Sequence, residues 1–311
     1  MAKGKAPIEP MSLGKMQMST ERLLEFIQSQ NFGSIEEINE FLKNNVNGKR
    51  IDLAVPSLRS SQSNAEKADD LMYEAYDCTP EKGKKLAKDA LKLHPENVRA
   101  LNYLAEQAES AEAALKFYQK AVGHGKNQLG EQFFKDNKGH FWLMMETRPY
   151  MTARLGFAHC LDALDWKVEA IAELNEMLEL NPGDNQGIRY KLSGLLLFTG
   201  KYKEFFVLYK KYKDEKTTSW LFNYALYLFA TEGATVKANR ALLLANRENA
   251  HVIDFMTQRK EMLKNPGNHY SPGDESEATF YLMDNFRSWM IVDNTLDWLF
   301  SFVESQKSKS G

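Results

Sequence analysis

Histidine and carboxylate side chains cluster in the stretch from residue 123 to residue 146, and their types suit a metal ion. His124 and His140 flank Glu131 and Asp136, and imidazole with carboxylate ligands holds zinc or iron in many proteins. The spacing of these four residues matches no known ligand pattern, and paired CxxC motifs are absent from the sequence. We therefore expect no metal ion and no cofactor.

Cys160 directly follows His159, and a cysteine with a histidine could act as a nucleophile and its base. Adjacent residues on a helix point about 100° apart, so these two side chains cannot form a direct nucleophile and base pair. Glycine-rich phosphate loops with their lysine are also absent from the sequence. We expect that the chain is not an enzyme.

The composition argues against two classes of partner. The chain has 43% hydrophobic and 26% charged residues and a formal net charge of -2, which gives no general attraction to nucleic acid or to an anionic membrane. Its longest apolar run, residues 195–198, is too short to span a bilayer. Cys78 and Cys160 fall on apolar faces of predicted helices, as reduced thiols do. These features predict a cytoplasmic protein that binds neither nucleic acid nor membranes.

Polar and aromatic residues recur where the predicted helices would line the concave face of a helical-repeat array. Arginine and asparagine offer several hydrogen-bond donors in fixed geometry, which suits a carboxylate or an extended peptide backbone. We therefore expect this groove to bind a protein or peptide segment, acidic or ending in a C-terminal carboxylate. For each residue the alternative role is a structural hydrogen bond between repeats. The predicted peptide-binding residues are Arg148, Arg154, His159, Gln186, Arg189, Trp220, Asn223 and Tyr227.

The elements that would position these residues are helices, because apolar residues recur with a 3.6-residue period from residue 64 to residue 245. Ala170 and Ala238 fall where two helices of a pair would cross closely, and Pro182 ends one pair. The pairs recur about every 34 residues, as tetratricopeptide repeats (TPRs) do. The pattern predicts an all-α fold: a TPR-type right-handed α-solenoid of about five helix pairs. A long insertion precedes the third pair, and a helical region caps the C-terminal end.

The chain is expected to divide into six segments. Capping residues and turn signals set the boundaries at the N-terminal side, and loss of the repeat spacing sets them at the C-terminal side. The predicted segments are a disordered tail (1–18), a helical hairpin (19–46), a linker (47–63), the TPR array (64–250) with its insertion (123–146), a helical cap (251–304) and a frayed tail (305–311).

Three strings of residues are typical of one group of bacterial TPR proteins. They read GHFWLMMETRPYMTARLGFAHCL, LNPGDNQGIRYKL and YSPGDESEA, and a tryptophan-containing last helix follows. With these strings the chain, from residue 64 to residue 304, resembles bacterial TPR proteins grouped with the suppressor-of-tumorigenicity-seven (ST-seven) family. The resemblance implies a right-handed helical-repeat scaffold with a protein-interaction role, and it implies neither an enzymatic reaction nor a cofactor.

Two functions are consistent with this pattern. The first is a non-catalytic scaffold that binds a partner segment in the concave groove of the array. The second is a small-molecule-binding sensor or an enzyme whose pocket lies under the inserted segment. A pocket beneath the insertion with convergent ionisable groups would favour the second.

Overall fold

The computed structural model describes residues 32–46, 63–267 and 269–310, together with residues 20, 21, 23, 24, 26, 27 and 30; the side chains of 308–310 are not described. Over these residues the chain forms helices and turns and no β-strand. The all-α prediction is therefore confirmed. The predicted tail and most of the predicted linker lie outside the described residues. The chain divides into two compact units, residues 1–166 and 167–311.

The helices of the first unit begin where the sequence signals them. Ser63 and Glu66 form a capping box, in which Glu66 N donates to Ser63 Oγ and Ser63 N donates to Glu66 Oε2, and Pro80 stands at the first position of the next helix. The helices are α1 (Ile35–Asn45), α2 (Asn64–Tyr76), α3 (Pro80–Leu93), α4 (Val98–Glu106), α5 (Ala111–Asn137) and α6 (Arg148–Ala163), with a 3₁₀ turn (Phe141–Leu143) before α6.

Small residues let these helices approach closely. Consecutive helices from α2 to α6 pack against each other, and Ala87 and Ala90 of α3 are fully buried. At Gly83 a Cβ atom would lie 1.9 Å from the hydroxyl oxygen of Tyr103 on α4. Only glycine fits at this crossing, so the α3–α4 contact depends on it.

The predicted insertion is largely helical. α5 continues through Gly125 to its end at residue 137, with a kink at Gly130, where φ is 76°. Gly125 serves packing and not a turn, because a Cβ there would lie 2.9 Å from Tyr150 Cδ2 on α6. The absence of a side chain lets α5 lie against α6.

The second unit is also built from helices in sequence. Within it α8 packs against α7, α9, α10 and α13, and α10 packs against α11. The helices are α7 (Lys167–Leu180), α8 (Ile188–Phe198), α9 (Tyr202–Lys211), α10 (Thr218–Glu232), α11 (Val236–Glu248), α12 (His251–Met256), α13 (Glu275–Met290) and α14 (Thr295–Ser310).

The last helices cover α10. Trp289 of α13 is fully buried, and its ring centroid lies 6.3 Å from that of Phe222 on α10 and 6.3 Å from that of Trp298 on α14. α14 runs on to Ser310, so the predicted frayed tail from residue 305 is helical as far as the structure describes it. The aromatic rings hold the C-terminal helices onto the unit.

The two cysteines differ in their surroundings. Cys160 is buried in α6, and Cys78 is half-buried in the turn between α2 and α3. The expectation that Cys78 lies on a helix is wrong, because α2 ends at Tyr76 and Pro80 already begins the next helix. Both thiols are free.

Candidate functional site

A cleft of about 820 Å³ opens in the first unit. We call it the α2–α4 cleft, because one face of α2 and the start of α4 form one wall. The middle of α5, residues 143–146 and the start of α6 form the other wall, and Glu21 and Leu24 also line the cleft. The residues that line it are Glu21, Leu24, Ala65, Glu66, Asp69, Asp70, Tyr73, His94, Asn97, Val98, Arg99, Gly125, Gln128, Leu129, Phe133, Leu143, Met144, Met145, Glu146, Pro149 and Tyr150.

The α2 wall is acidic because three carboxylate residues of α2 fall on the same face of the helix. Glu66, Asp69 and Asp70 stand three and four positions apart, which places their side chains on one face of the helix. All three line the cleft, and Tyr73 continues the same face one turn further on. The cleft therefore has a wall of carboxylates.

The floor is a network of paired ionisable groups. Arg99 Nη2 lies 2.6 Å from Glu21 Oε2, and the Tyr73 hydroxyl donates to the same carboxylate oxygen. Asn97 Nδ2 donates to Asp69 Oδ1 at 2.7 Å, and the guanidinium of Arg99 lies 5.1 Å from the ring centroid of Tyr73. Burial raises the pKa of Asp69, against the opposing effect of Arg99. These groups satisfy one another, so the floor is held in one arrangement.

The opposite wall is mostly apolar, with Gln128 and Glu146 as its polar members. Leu129 and Phe133 of α5 face the cleft, and Leu143, Met144 and Met145 follow in the connection to α6. The Leu143 side chain is 70% exposed. An exposed leucine followed by two methionines offers an adaptable apolar surface at the rim.

This connection is fixed by hydrogen bonds and aromatic packing. Thr147 is fully buried, and its hydroxyl donates to the carbonyl oxygens of Phe141 and Met144. Phe141 is also fully buried, with its ring centroid 4.9 Å from that of Phe134. The apolar wall is therefore anchored from behind.

The predicted site residues of the first unit lie on α6. Arg148 Nε donates to the Trp142 carbonyl at 3.2 Å, and its guanidinium lies 5.5 Å from the centre of the Trp142 ring. Arg154 is buried, with its guanidinium 5.8 Å from the centre of the Tyr150 ring, and His159 is exposed. Arg148 and Arg154 are thus engaged by aromatic residues of their own unit. None of the three lines the α2–α4 cleft.

In the second unit, Arg189 is the centre of an ion-pair cluster. Its Nη1 lies 2.8 Å from Asp184 Oδ2, and its Nη2 lies 2.6 Å from Glu215 Oε2. The guanidinium also stacks 4.4 Å from the ring centroid of Tyr190. Burial opposes ionisation of Glu215, but hydrogen bonds from Arg189 and Tyr190 lower the pKa of its carboxyl below the ordinary value. Arg189 therefore has a structural role, the alternative that the sequence left open.

Two more predicted residues are interior. Trp220 is 1% exposed and Asn223 is 0% exposed. Asn223 Nδ2 donates to Ser193 Oγ at 2.8 Å, and the Tyr281 hydroxyl donates to Asn223 Oδ1 at 3.0 Å. Neither side chain is open to a groove: α13 packs over Asn223, which also donates to Asn285, and Trp220 packs against Tyr190, Tyr209 and Tyr212.

Tyr227 and Gln186 are both half-buried. The Tyr227 ring stacks on Phe205 and Phe206, with centroid distances of 5.1 and 5.5 Å. Gln186 lies in the turn before Gly187, which has a φ of 70°. Tyr227 therefore belongs to an aromatic stack within the second unit.

Sequence reasoning missed the acidic wall and Arg99. A signal for the wall was present, because Glu66, Asp69 and Asp70 share a face with Tyr73 on the first helix of the predicted array. Arg99 gave no such signal, since its partner Glu21 stands 78 positions earlier in the chain.

Two features are absent from the described residues: a metal-binding cluster and a membrane-spanning helix. No group of three or more His, Cys, Asp or Glu side chains is arranged to hold a metal ion. No helix in this part of the chain is both long and apolar enough to cross a bilayer. The His124 imidazole lies 3.7 Å from a carboxylate oxygen of Glu96.

Comparison of the sequence with models of known protein families gave no match, and comparison with curated proteins gave none either. The resemblance to the ST-seven group stays a prediction from the quoted strings. The functional proposal therefore rests on the α2–α4 cleft itself.

Proposed function

We propose that this chain is a non-catalytic protein-interaction scaffold of the TPR type that acts in the cytoplasm. In this proposal the α2–α4 cleft holds an extended segment of a partner protein. One observation carries this proposal: α2 and α4, which are the first helices of two successive pairs, together form one wall of the cleft. First helices of successive repeats line the concave binding surface of TPR arrays.

The packing of the helix pairs supports the TPR assignment. Ala90, Ala121, Ala170 and Ala238, which fall near the predicted repeat positions, are all fully buried. Gly156 of α6 also has no room for a side chain, since a Cβ there would meet the Tyr118 ring at 2.1 Å. Small residues at close crossings are what a stack of helix pairs requires.

The chemistry of the cleft favours binding over catalysis. Glu21, Asp69, Tyr73 and Arg99 are tied into one paired network, and the described residues that line the cleft include no serine, threonine, cysteine or lysine to act as a nucleophile. The exposed Leu143 on the other wall instead offers a contact surface. Polar anchors beside apolar contacts are the usual means of holding a peptide.

A selection from a random peptide library against the purified full chain tests the proposal. We expect enriched peptides that bind the parent, measured by fluorescence anisotropy. Leu143→Asp should weaken their binding about tenfold or more, because it places a charge at the apolar rim. Val207→Asp is the matched control, since Val207 is 65% exposed on α9 in the other unit. Failure to enrich any peptide, or equal binding by both variants, would refute the proposal.

The size of the cleft also supports a second function, a small-molecule-binding sensor or enzyme. Its volume of about 820 Å³ lies within the range of small-molecule sites, and the α5 part of the predicted insertion forms one of its walls. A small-molecule sensor would show a ligand-dependent rise in Tm in a screen of cellular metabolites. Leu143→Asp would abolish that rise, whereas selection from the peptide library would enrich nothing.

A further inference from the structure

We propose that this chain pairs with a second copy of itself through the outer face of α13. The contact surface, which we call the α13 stripe, consists of Met283, Phe286 and Met290. These side chains are 66%, 45% and 37% exposed. The inference concerns the second unit and does not depend on the α2–α4 cleft, so it goes beyond the proposed function.

The α13 stripe is one continuous apolar surface. Met283, Phe286 and Met290 stand three and four positions apart, which places them within about 60° of one another around the helix. Single exposed apolar residues are normal on a protein surface, whereas several on one face mark an interaction site. Phenylalanine and methionine are also among the residues that protein interfaces favour.

The opposite face of α13 shows that the fold itself gives no reason for the stripe. Asn285 and Ser288 are buried there. Asn285 Oδ1 accepts a hydrogen bond from Asn223 Nδ2 at 3.3 Å, and Ser288 Oγ donates to the Gly194 carbonyl at 3.1 Å. α13 thus buries an asparagine and a serine while it exposes a phenylalanine and two methionines. A partner that covers the outer face would account for this distribution.

Asp284 and Arg287, which are both exposed, favour a second copy as that partner. At about 100° per residue both lie on the same side of the stripe, and Phe286 stands between them along the helix axis. A two-fold axis beside Phe286 makes the two α13 helices antiparallel. Arg287 of one copy then lies within about 1.5 Å, along the helix axis, of Asp284 of the other. The same axis sets Met283 opposite Met290, so the face is complementary to itself.

The exposed area is sufficient for a reversible dimer. A fully exposed side chain of this size presents about 200 Å². The stripe and the adjoining Ile291, which is 49% exposed, therefore leave on the order of 400 Å² of apolar surface on each copy. Because about 65% of a homodimer interface is apolar, the pair would bury about 1,200 Å² in total, where specific interfaces begin. We expect a dimer that dissociates on dilution.

Sedimentation velocity of the full chain tests the inference. Between about 1 µM and about 500 µM, the mean mass should rise from that of one chain, 35.7 kDa, towards twice that value. The double variant Met283→Asp, Phe286→Asp should raise the dissociation constant of the dimer at least about tenfold, because it places charges in an apolar contact.

A matched double variant controls for the added charge. Val207 and Val236 are exposed on α9 and α11 of the same unit, so Val207→Asp, Val236→Asp should associate as the parent does. Melting curves followed by circular dichroism verify that both double variants are folded. Losses of equal size in the two double variants would overturn the inference, because they would place the effect on net charge.

A charge exchange tests the two-fold pairing itself. Asp284→Arg and Arg287→Asp should each weaken the dimer, since each sets like charges opposite one another across the axis. The combination Asp284→Arg, Arg287→Asp sets opposite charges together again and should recover most of the affinity. Failure to recover it would overturn the antiparallel pairing beside Phe286.

Two further outcomes would also overturn the inference. A single chain at every concentration would exclude a second copy and leave the stripe to a helix of another protein. A dimer that Met283→Asp, Phe286→Asp leaves intact would place the contact elsewhere on the chain. Neither outcome bears on peptide binding in the α2–α4 cleft, which is measured separately.

Discussion

Replacement of Arg189 distinguishes a ligand-binding arginine from a structural one. The sequence alone predicts that Arg189→Ala weakens peptide binding with little effect on folding. The structure predicts the reverse, because the side chain is 15% exposed and lies between Asp184, which is 0% exposed, and Glu215, which is 20% exposed. We therefore expect Arg189→Ala to lower the free energy of unfolding and to leave peptide affinity unchanged.

The size of the expected loss of stability depends on the hydrogen bonds that Asp184 and Glu215 retain when Arg189 is replaced. Loss of one partner from a fully buried ion pair costs about 3 to 5 kcal/mol. Asp184, however, still accepts hydrogen bonds from the backbone N–H groups of Ile188 and Arg189, at 2.6 and 3.0 Å. Glu215 still accepts from the Tyr190 hydroxyl at 2.9 Å. Because both charges stay partly satisfied, we expect a loss of about 2 to 3 kcal/mol.

Urea denaturation followed by circular dichroism measures this loss. Lys211→Ala is the control, because Lys211 is exposed on α9, and it should change the free energy of unfolding by less than about 0.5 kcal/mol. Arg189→Lys should fall between the two, since an ammonium group cannot reproduce the forked contact with both carboxylates. An Arg189→Ala variant as stable as the parent, with weakened peptide binding, would refute the structural assignment.

Two further outcomes follow from buried positions. Ala170→Trp and Ala238→Trp should each lower the free energy of unfolding by about 1 to 3 kcal/mol or more, because both alanines are fully buried; unchanged melting of both would contradict the packing. The lowered pKa of Glu215 makes its stabilising contribution complete above the unfolded value of about 4.3 and lost as the pH falls through the folded value. Glu215→Gln should therefore reduce the loss of stability in that acidic range. The urea midpoint is measured as a function of pH for the parent and the variant, and two profiles of the same shape would exclude this contribution.

The sequence predicted correctly those features that depend on residues close together in the chain. The predicted start of the array at about Asn64 is the first residue of α2, because a serine cap and a following apolar face act within a few residues of each other. Pro182 likewise follows the end of α7. Ala170 and Ala238 are buried as their spacing predicts, since the side chain on the inner face of a helix pair is set by helical periodicity.

Local patterns failed where a distant part of the chain decides the outcome. Gly125 signals a turn in isolation, but Tyr150 packs against it and the helix continues. Tertiary packing outweighed the low helix propensity of glycine there. Asn223 is a polar residue among apolar ones on α10, so the sequence suggests that it binds a ligand. Its hydrogen-bond partner Tyr281, however, stands 58 positions later. A buried asparagine needs hydrogen bonds from whichever element covers it.

The same contrast explains why the candidate site is the α2–α4 cleft and not a set of arginines. An arginine offers several donors, so a folded chain readily satisfies it with its own carboxylates and rings, as it does at Arg99 and Arg189. Residues that line an open cleft are therefore better evidence for a binding site than a donor-rich residue type alone. In this chain that criterion selects the α2–α4 cleft, which none of Arg148, Arg154 and Arg189 lines.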